Sequence, residues 1–225
     1  SEHFFTPESS MEYQWKLGSD IHIAFDDCTA YPVTHGVAKK SMERTHRWAA
    51  RSLRASEKLS LRSRLAGEAI SKENGIATSQ TPRNDTILYQ ALYGVVQGSV
   101  FEDLRKQTAQ CISSMDFDGI AIGGVSVGES KEEMAKVLSW VIPELPEHKP
   151  RHLLGVGEID DVFVLIENGI DTFDCVQPTR LARMGRVFVS NKTNRYEIDI
   201  TKKLYATDTG PLDPTCMCMT CAHFS

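Results

Sequence analysis

Three cysteines lie within six residues near the end of the chain. Cys216, Cys218 and Cys221 form a Cys-x-Cys-x-x-Cys pattern. Thiolates so closely spaced are typical of a tetrahedral structural zinc site rather than of disulfides, and such a site normally takes a fourth nitrogen or sulfur ligand. His223 is one candidate, although a histidine two residues from Cys221 is more often a solvated side chain. The pattern predicts zinc binding, with free surface thiols as the alternative.

Polar residues and glycines follow five apolar runs of strand length. The runs are residues 20–26, 91–98, 117–124, 151–157 and 170–176. Their ends carry Asp26-Asp27-Cys28, Gln97-Gly98, Gly123-Gly124, Gly155-Val156-Gly157 and Asp174-Cys175. Because the carboxyl ends of parallel strands converge on one pocket in a barrel, these residues would line a single site. Each of them, taken alone, could simply mark a turn.

Segments of helical period separate these runs. Apolar residues recur every three or four positions over residues 104–115 and 134–141, and Ser130 with Glu133 forms a capping box before the second segment. The helix after Asp160 is expected to end at Asn168-Gly169. Residues 66–90 are polar and predict a long mobile excursion, whereas residues 187–201 predict a hairpin. The alternation predicts a parallel α/β fold, either doubly wound or a (β/α)8 barrel.

The composition of the 225 residues is that of a globular protein, with 41% hydrophobic and 24% charged residues. The net charge of −5 argues against indiscriminate nucleic-acid binding, but RNA needs only a local basic face. No apolar run approaches the roughly 20 residues that a membrane helix needs. The first residues also lack the pattern of a signal peptide. We therefore expect a cytoplasmic protein without membrane contact.

Five motifs in this chain resemble, in the same order, those of the tRNA-guanine transglycosylases, and the cysteine pattern completes the set. They are residues 26–32 (DDCTAYP), 94–98 (GVVQG), 123–129 (GGVSVGE), 154–157 (LGVG) and 173–180 (FDCVQPTR). The resemblance covers nearly the whole chain and is weakest over residues 55–90. It implies a member of the bacterial type of this family. The implied fold is a (β/α)8 TIM barrel with a C-terminal zinc-binding subdomain.

Asp174 corresponds by this resemblance to the catalytic nucleophile of the family. A carboxylate can attack C1′ of the target ribose, expel guanine and hold the sugar as a covalent ester. The incoming base then attacks the ester, so that configuration is retained. The position of Asp174 at a strand end is equally compatible with an aspartate that only forms a turn.

The resemblance also implies a set of residues that bind the base. Asp26 would accept hydrogen bonds from N1–H and the 2-amino group of guanine, and Gln97 and the backbone N–H of Gly124 or Val125 would donate to O6. Glu129 corresponds to a glutamate near the substituent of the base, or is a loop or capping acid. Leu154 and Gly155 would cover the ring. Cys28 is the remaining member of the set.

Two positions predict which base is incorporated. Cys28 and Val127 resemble the bacterial pattern, whose incoming base is 7-aminomethyl-7-deazaguanine. Eukaryotic relatives, which take the bulkier queuine, typically have valine and glycine there. We therefore expect the bacterial substrate.

The macromolecular partner implied by the resemblance is tRNA, whose target base must turn out of its loop to reach a barrel pocket. Arg180 and Arg183 follow the nucleophile strand and are the RNA-binding candidates. Five basic residues at helical spacing could either follow a phosphate backbone or form a solvated helix face: Arg44, Arg47, Arg51, Arg54 and Lys58. The family commonly forms homodimers, which makes a homodimer a further expectation.

The resemblance places some parts of the family pattern outside this chain. The first barrel strands, with an aspartate thought to act as general acid and base, would precede it, and the C-terminal helices and usual fourth zinc ligand would follow it. We therefore expect a partial barrel over residues 1–186, with an insertion near 66–90. Residues 187–225 would hold the hairpin and the start of the zinc-binding subdomain.

Three other interpretations of the sequence stay open. The first is a non-catalytic tRNA-binding relative or partner subunit with the same fold. The second is a barrel glycosidase that uses Asp26 and Asp174 as its carboxylate pair. The third is a zinc-binding structural module alone.

Overall fold

The structure, a computed structural model, describes residues 4–73, 89–189 and 196–223, and within residues 62–73 it describes the backbone alone. The chain divides into two compact units, Ser1–Asp174 and Cys175–Ser225. None of the helices in the described ranges is long and apolar enough to cross a membrane.

The first unit contains one parallel sheet of five strands in the order β1-β2-β3-β4-β5, which is also their order along the chain. The strands are β1 (Ile21–Ile23), β2 (Ala91–Val96), β3 (Gly119–Ile122), β4 (Arg151–Leu153) and β5 (Thr172–Phe173). All five predicted strands are therefore present, each shorter than the apolar run that predicted it. The sheet is curled and fits an incomplete (β/α) barrel.

The described residues of this unit form five α-helices: α1 (Pro7–Leu17), α2 (His35–Glu73), α3 (Glu102–Ser113), α4 (Lys131–Val141) and α5 (Ile159–Glu167). The predicted capping box before α4 is confirmed, with the Ser130 side chain accepting from the Glu133 amide and the Glu133 carboxylate accepting from the Ser130 amide. The predicted end of α5 is also confirmed, since Asn168 is its C-cap and Gly169 has φ of +80°.

The prediction of a loop over residues 66–90 is wrong for its first part, because α2 continues to Glu73. The sequence of that part, Ala66 to Glu73, contains Ala, Glu and Lys, which favour helix, and a single glycine does not end it. Residues 74–88 lie outside the described residues, and β2 begins at Ala91.

The hydrophobic core lies between the sheet and its helices. All four residues of β3 are buried, as are five of the six in β2, which is typical of strands in a parallel sheet that is covered on both faces. Leu138 of α4, Leu165 of α5 and Ile112 of α3 are fully buried in the same cluster. This packing fixes the positions at which the strands end.

The second unit contains helix α6 (Gln177–Arg183), an antiparallel pair of strands and helix α7 (Met219–His223). The strands β6 (Arg186–Phe188) and β7 (Glu197–Asp199) pair with Val187 opposite Ile198. The predicted hairpin is thereby confirmed, and its residues 190–195 lie outside the described residues.

Candidate active site at the carboxyl edge of the sheet

The predicted site residues of the first unit follow the carboxyl ends of adjacent parallel strands. In strand order they are Asp26 after β1, Gln97 after β2, Gly123 and Gly124 after β3, Leu154 and Gly155 after β4, and Asp174 after β5. Since the strands are parallel neighbours, all of these residues lie along one edge of the sheet.

Asp26 and Gln97 contact each other directly. The Gln97 side-chain nitrogen Nε2 lies 2.6 Å from the Asp26 carboxylate oxygen Oδ2, to which it donates a hydrogen bond. Gln97 is 2% exposed, and burial raises the pKa of Asp26 above its ordinary value of 3.8. The pair thus combines an acceptor and a donor in a poorly solvated place, where hydrogen bonds to a bound group are strong.

The two glycines after β3 leave room for the Gln97 side chain. A Cβ atom on Gly123 would lie 2.7 Å from Gln97 Nε2, and one on Gly124 would lie 2.5 Å from Gln97 Oε1. Gly124 also has φ of +63°, a conformation that favours glycine. Any larger residue here would displace the amide of Gln97.

Three hydroxyl groups of α2 hold the backbone on either side of Asp26. Ser52 Oγ accepts a hydrogen bond from the Phe25 amide at 3.1 Å, and Thr45 Oγ1 accepts one from the Asp27 amide at 3.0 Å. Ser41 Oγ donates to the carbonyl of Asp27. Sequence analysis missed these three residues, although small hydroxyl side chains at positions that share the buried face of α2 were a usable signal.

Glu129 and Cys28 also lie in loops that follow the strands. One carboxylate oxygen of Glu129, Oε2, accepts from the Val127 amide at 3.1 Å. The other, Oε1, is buried and has no hydrogen-bond partner in the described part of the chain. Cys28 is exposed, and the hydrogen bond of its thiol goes to the neighbouring Thr29 carbonyl. An unpartnered buried carboxylate oxygen is an acceptor ready for a ligand.

Among the described residues, the hydrogen bonds to Asp174 reach one of its two carboxylate oxygens. Its Oδ1 accepts from the Gly155 amide at 3.0 Å and lies 3.2 Å from His152 Nε2. Within the described residues Oδ2 has no hydrogen-bond partner, and the Asp174 side chain is 57% exposed. An exposed carboxylate that two donors orient at one of its oxygens is suited to nucleophilic attack.

His152 is a site residue that sequence analysis missed. It stands in β4 opposite Thr172 of β5, whose hydroxyl lies 2.9 Å from His152 Nδ1. With its proton on Nε2, the imidazole donates to Asp174 and accepts from Thr172. Its strand register with Thr172 explains the contact, but the sequence does not show register.

Gly155 is required by its close neighbour. Its φ is +77°, and a Cβ atom there would lie 2.5 Å from Ser126 Oγ. The small residue therefore brings the loops after β3 and β4 together and leaves its own amide free to bind Asp174.

A cavity of about 250 Å³ lies elsewhere in the first unit. Its lining includes Trp15, Leu92 and the residues Asp116 and Asp118, which precede β3. None of the predicted site residues lines it, so it does not bear on the candidate site.

The basic residues of α2 are partly neutralised. Arg44 pairs with Asp27 at 3.0 Å, and Arg51 forms a two-pronged contact with Glu8, with distances of 2.8 and 2.6 Å. These pairs weaken the interpretation of this helix face as a phosphate-binding stripe. They agree with the alternative of a solvated helix face.

In the second unit, Arg180 and Arg183 are exposed residues of α6. Neither forms a salt bridge with another residue of the described ranges. No carboxylate of those ranges therefore neutralises either guanidinium group.

The three cysteines of the second unit form a cluster. The Sγ atoms of Cys216, Cys218 and Cys221 lie within 4.8 Å of one another. The amide of Cys221, followed by the Cys216 side chain, lowers the pKa of the Cys218 thiol to about 7. His223 is exposed and does not join this cluster, so the described residues supply three sulfur ligands.

Comparison with known proteins identifies the family of this chain. The family model of queuine tRNA-ribosyltransferase matches residues 1–225. Proteins named queuine tRNA-ribosyltransferase from Histophilus somni and Actinobacillus pleuropneumoniae are 44% and 45% identical to this chain over 99% of its length. One from Pasteurella multocida is 42% identical over the same share. The chain spans about half the length of these curated relatives. The chain belongs to the queuine tRNA-ribosyltransferase family.

Proposed function

We propose that this chain carries the catalytic part of a tRNA-guanine transglycosylase, which exchanges guanine at the anticodon wobble position for a 7-deazaguanine. The observation that supports this most is Asp174, whose open carboxylate oxygen lies at the same sheet edge as the Asp26–Gln97 pair. Membership of the family supplies the reaction that such a pairing of nucleophile and base site can perform.

The proposed reaction consists of two displacements at C1′ of the target ribose. In the first, Oδ2 of Asp174 forms a bond to C1′ while the bond from C1′ to N9 of guanine breaks, and its electron pair leaves with the base. In the second, the ring nitrogen of the incoming base loses its proton as it attacks C1′, and the ester bond breaks to restore the carboxylate. The departing guanine takes up one proton and the incoming base gives up one, so the exchange is balanced. Two inversions leave the configuration of the sugar unchanged.

The base would be bound by hydrogen bonds at its donor groups and at its 6-oxo group. Asp26 accepts from N1–H and the 2-amino group, and the second hydrogen of Gln97 Nε2 reaches O6, since its first is held by Asp26. The amides of Gly124 or Val125 complete the contacts to O6. Further contacts are assigned to Leu154 and Gly155 at the ring and to Cys28 and Glu129 near the substituent.

The carboxylate of Glu129 supports the choice of incoming base. The buried oxygen of Glu129 that lacks a partner among the described residues would accept a hydrogen bond from an aminomethyl group. This fits 7-aminomethyl-7-deazaguanine, in agreement with Cys28 and Val127.

The remaining assignments extend beyond the sheet edge. Arg180 and Arg183 would bind phosphates of the tRNA next to the turned-out nucleotide. A homodimer, a cytoplasmic location, and a division into a partial (β/α)8 barrel over residues 1–186 and a zinc-binding part over residues 187–225 stay predictions.

A zinc ion would be bound by Cys216, Cys218 and Cys221. Zinc–sulfur bonds of about 2.3 Å require sulfur atoms roughly 4 Å apart, and the observed limit of 4.8 Å allows this with small side-chain movements. Three thiolates are a suitable donor set for zinc, whose contribution here would be structural.

Radiolabelled guanine exchange into tRNA tests the proposed function. It is measured for this chain and for a chimera in which the chain replaces the corresponding 223 residues of the Histophilus somni relative. We expect exchange by the chimera and its loss, by at least about 1,000-fold, in Asp174→Asn, because the amide cannot form the ester.

The matched control is Asp171→Asn, which changes an aspartate just before β5, at the opposite edge of the sheet. It should leave the exchange rate of the folded protein nearly unchanged. Denaturing gels should show a covalent RNA adduct with the unaltered protein and none with Asp174→Asn. A chimera that folds and binds tRNA without exchange or adduct would instead support the non-catalytic tRNA-binding relative.

A further inference from the structure

Arg105 is a charged residue with no exposed surface and no assigned role. It lies in the first turn of α3 and is 0% exposed. Among the described residues no carboxylate forms a salt bridge with it. Burial of a guanidinium without a carboxylate is costly, and a cation at a helix N-terminus opposes the helix dipole. Such a residue needs a compensating set of contacts.

The compensating contacts are four backbone carbonyls, one at the end of β2 and three in the two loops that carry the proposed base site. Nε donates to Ser99 O at 2.5 Å, and Nη1 donates to Val96 O at 3.1 Å and to Gly123 O at 2.7 Å. Nη2 donates to Gly124 O at 2.7 Å. One side chain therefore joins the loop around Gln97 to the glycine turn after β3.

These contacts set the direction of two amides. In a trans peptide the C=O and N–H groups point in opposite directions. Because the carbonyls of Gly123 and Gly124 point to Arg105, the N–H groups of Gly124 and Val125 point away from it. Neither N–H has a hydrogen-bond partner in the described part of the chain. They are free donors beside the Gln97 amide.

We propose that Arg105 is a positioning residue that aims the amides of Gly124 and Val125 at the 6-oxo group of a bound guanine-type base, and so makes the site selective for an oxygen at that position. This rests on the proposed function, because it takes the ligand to be a guanine-type base. Burial lowers the pKa of Arg105 to about 10, so the side chain keeps its charge at neutral pH. Its positive charge lies behind the two donors and strengthens their bond to the oxygen.

Binding of two free bases tests this role. Guanine and 6-thioguanine share N1–H and the 2-amino group, which Asp26 would bind, and differ in the acceptor at position 6. We expect the unaltered protein, as the chain and as the chimera, to bind guanine roughly tenfold more tightly, because sulfur is a poorer acceptor for two amides. In Arg105→Met the ratio of the two dissociation constants should fall to about 1 to 2.

Arg151→Met is the matched control. Arg151 also donates to backbone carbonyls, those of Gly169 and Leu145, but it lies at the start of β4, at the opposite edge of the sheet. This variant should lose some stability and keep the ratio. A general loss of packing would lower the affinity for both bases alike, whereas the proposed role changes their ratio.

Two further measurements test the same role if Arg105→Met does not fold. Arg105→Lys keeps the charge without the planar fork and should give an intermediate ratio. In the unaltered protein, the amide proton resonances of Gly124 and Val125 should shift more with guanine than with 6-thioguanine. The role of Arg105 alone is overturned if a folded Arg105 variant keeps the ratio of the two dissociation constants. It is also overturned if the amide resonances of Gly124 and Val125 do not shift when guanine binds. Binding of neither base by the unaltered protein overturns the proposed function as well.

Discussion

The two ends of the candidate site are held in different ways. After β1, β2 and β3, the proposed base-binding end is largely buried and is held by residues of α2 and α3, among them Thr45, Ser52 and Arg105. After β5, Asp174 is more than half exposed and is held by His152 and the Gly155 amide. The proposed base site would thus be formed by largely buried residues, whereas the proposed nucleophile is accessible to a large substrate.

The largest effect on guanine binding should come from changing the acceptor at the buried end. Asp26→Asn removes a carboxylate that can accept two hydrogen bonds, each of which is worth about 1.5–3 kcal/mol to a charged group. We expect guanine affinity to fall roughly 100-fold or more, as measured by calorimetry or equilibrium dialysis. Asp20→Asn, just before β1 at the opposite edge, is the control and should bind normally.

The pH dependence of the same binding gives a second measure of this end. Burial raises the pKa of Asp26 above 3.8, so at low pH the folded protein carries a proton there and one oxygen cannot accept. Guanine affinity should therefore rise with pH through a midpoint above 3.8, and Asp26→Asn should remove this rise. A midpoint at or below 3.8 would show that the carboxylate is well solvated.

At the exposed end, a smaller effect on rate rather than on binding is expected. His152→Leu removes one of two donors to Asp174 Oδ1, so kcat for guanine exchange by the chimera should fall about tenfold while guanine affinity stays unchanged. His152→Gln, which can still donate from a side-chain nitrogen, should recover part of the rate. The control is the exposed His148→Leu. Equal losses of affinity and rate would mean that the two ends are not separate.

The smallest effect should come from the frame around Asp26. Ser52→Ala leaves the Phe25 amide without its hydroxyl acceptor, which should lower the free energy of unfolding by about 1–2 kcal/mol in urea titrations. Guanine affinity should fall only about two- to threefold, because Thr45 still holds the other side of Asp26. Ser139→Ala, a change on α4 at a hydroxyl bonded within its own helix, should alter neither quantity much.

Local patterns predicted much of the fold. Apolar runs located all five strands of the parallel sheet, and capping signals located the start of α4 and the end of α5. Helix α1 was missed, although Thr6-Pro7 at its start and Gly18 at its end are ordinary boundary signals. The continuation of α2 to Glu73 differs from the expected loop because the polar residues there include helix formers such as Glu and Lys.

The site was predictable only where its residues follow strands. Asp26, Gln97 and Asp174 stand at strand ends, so their types and order indicated a shared edge. Arg105 and His152 act through partners in other strands and loops. Such contacts depend on sheet register and helix packing, which one sequence does not specify.

The two hydrogen bonds to Oδ1 of Asp174 would affect both displacements of the proposed exchange. Two donors at Oδ1 make the carboxylate a somewhat weaker attacking group than a free one, since they stabilise its charge. They also make it a better leaving group when the ester breaks, because the returning negative charge meets the same donors. A reaction that begins and ends with a base on the ribose is best served by a carboxylate that departs about as readily as it attacks.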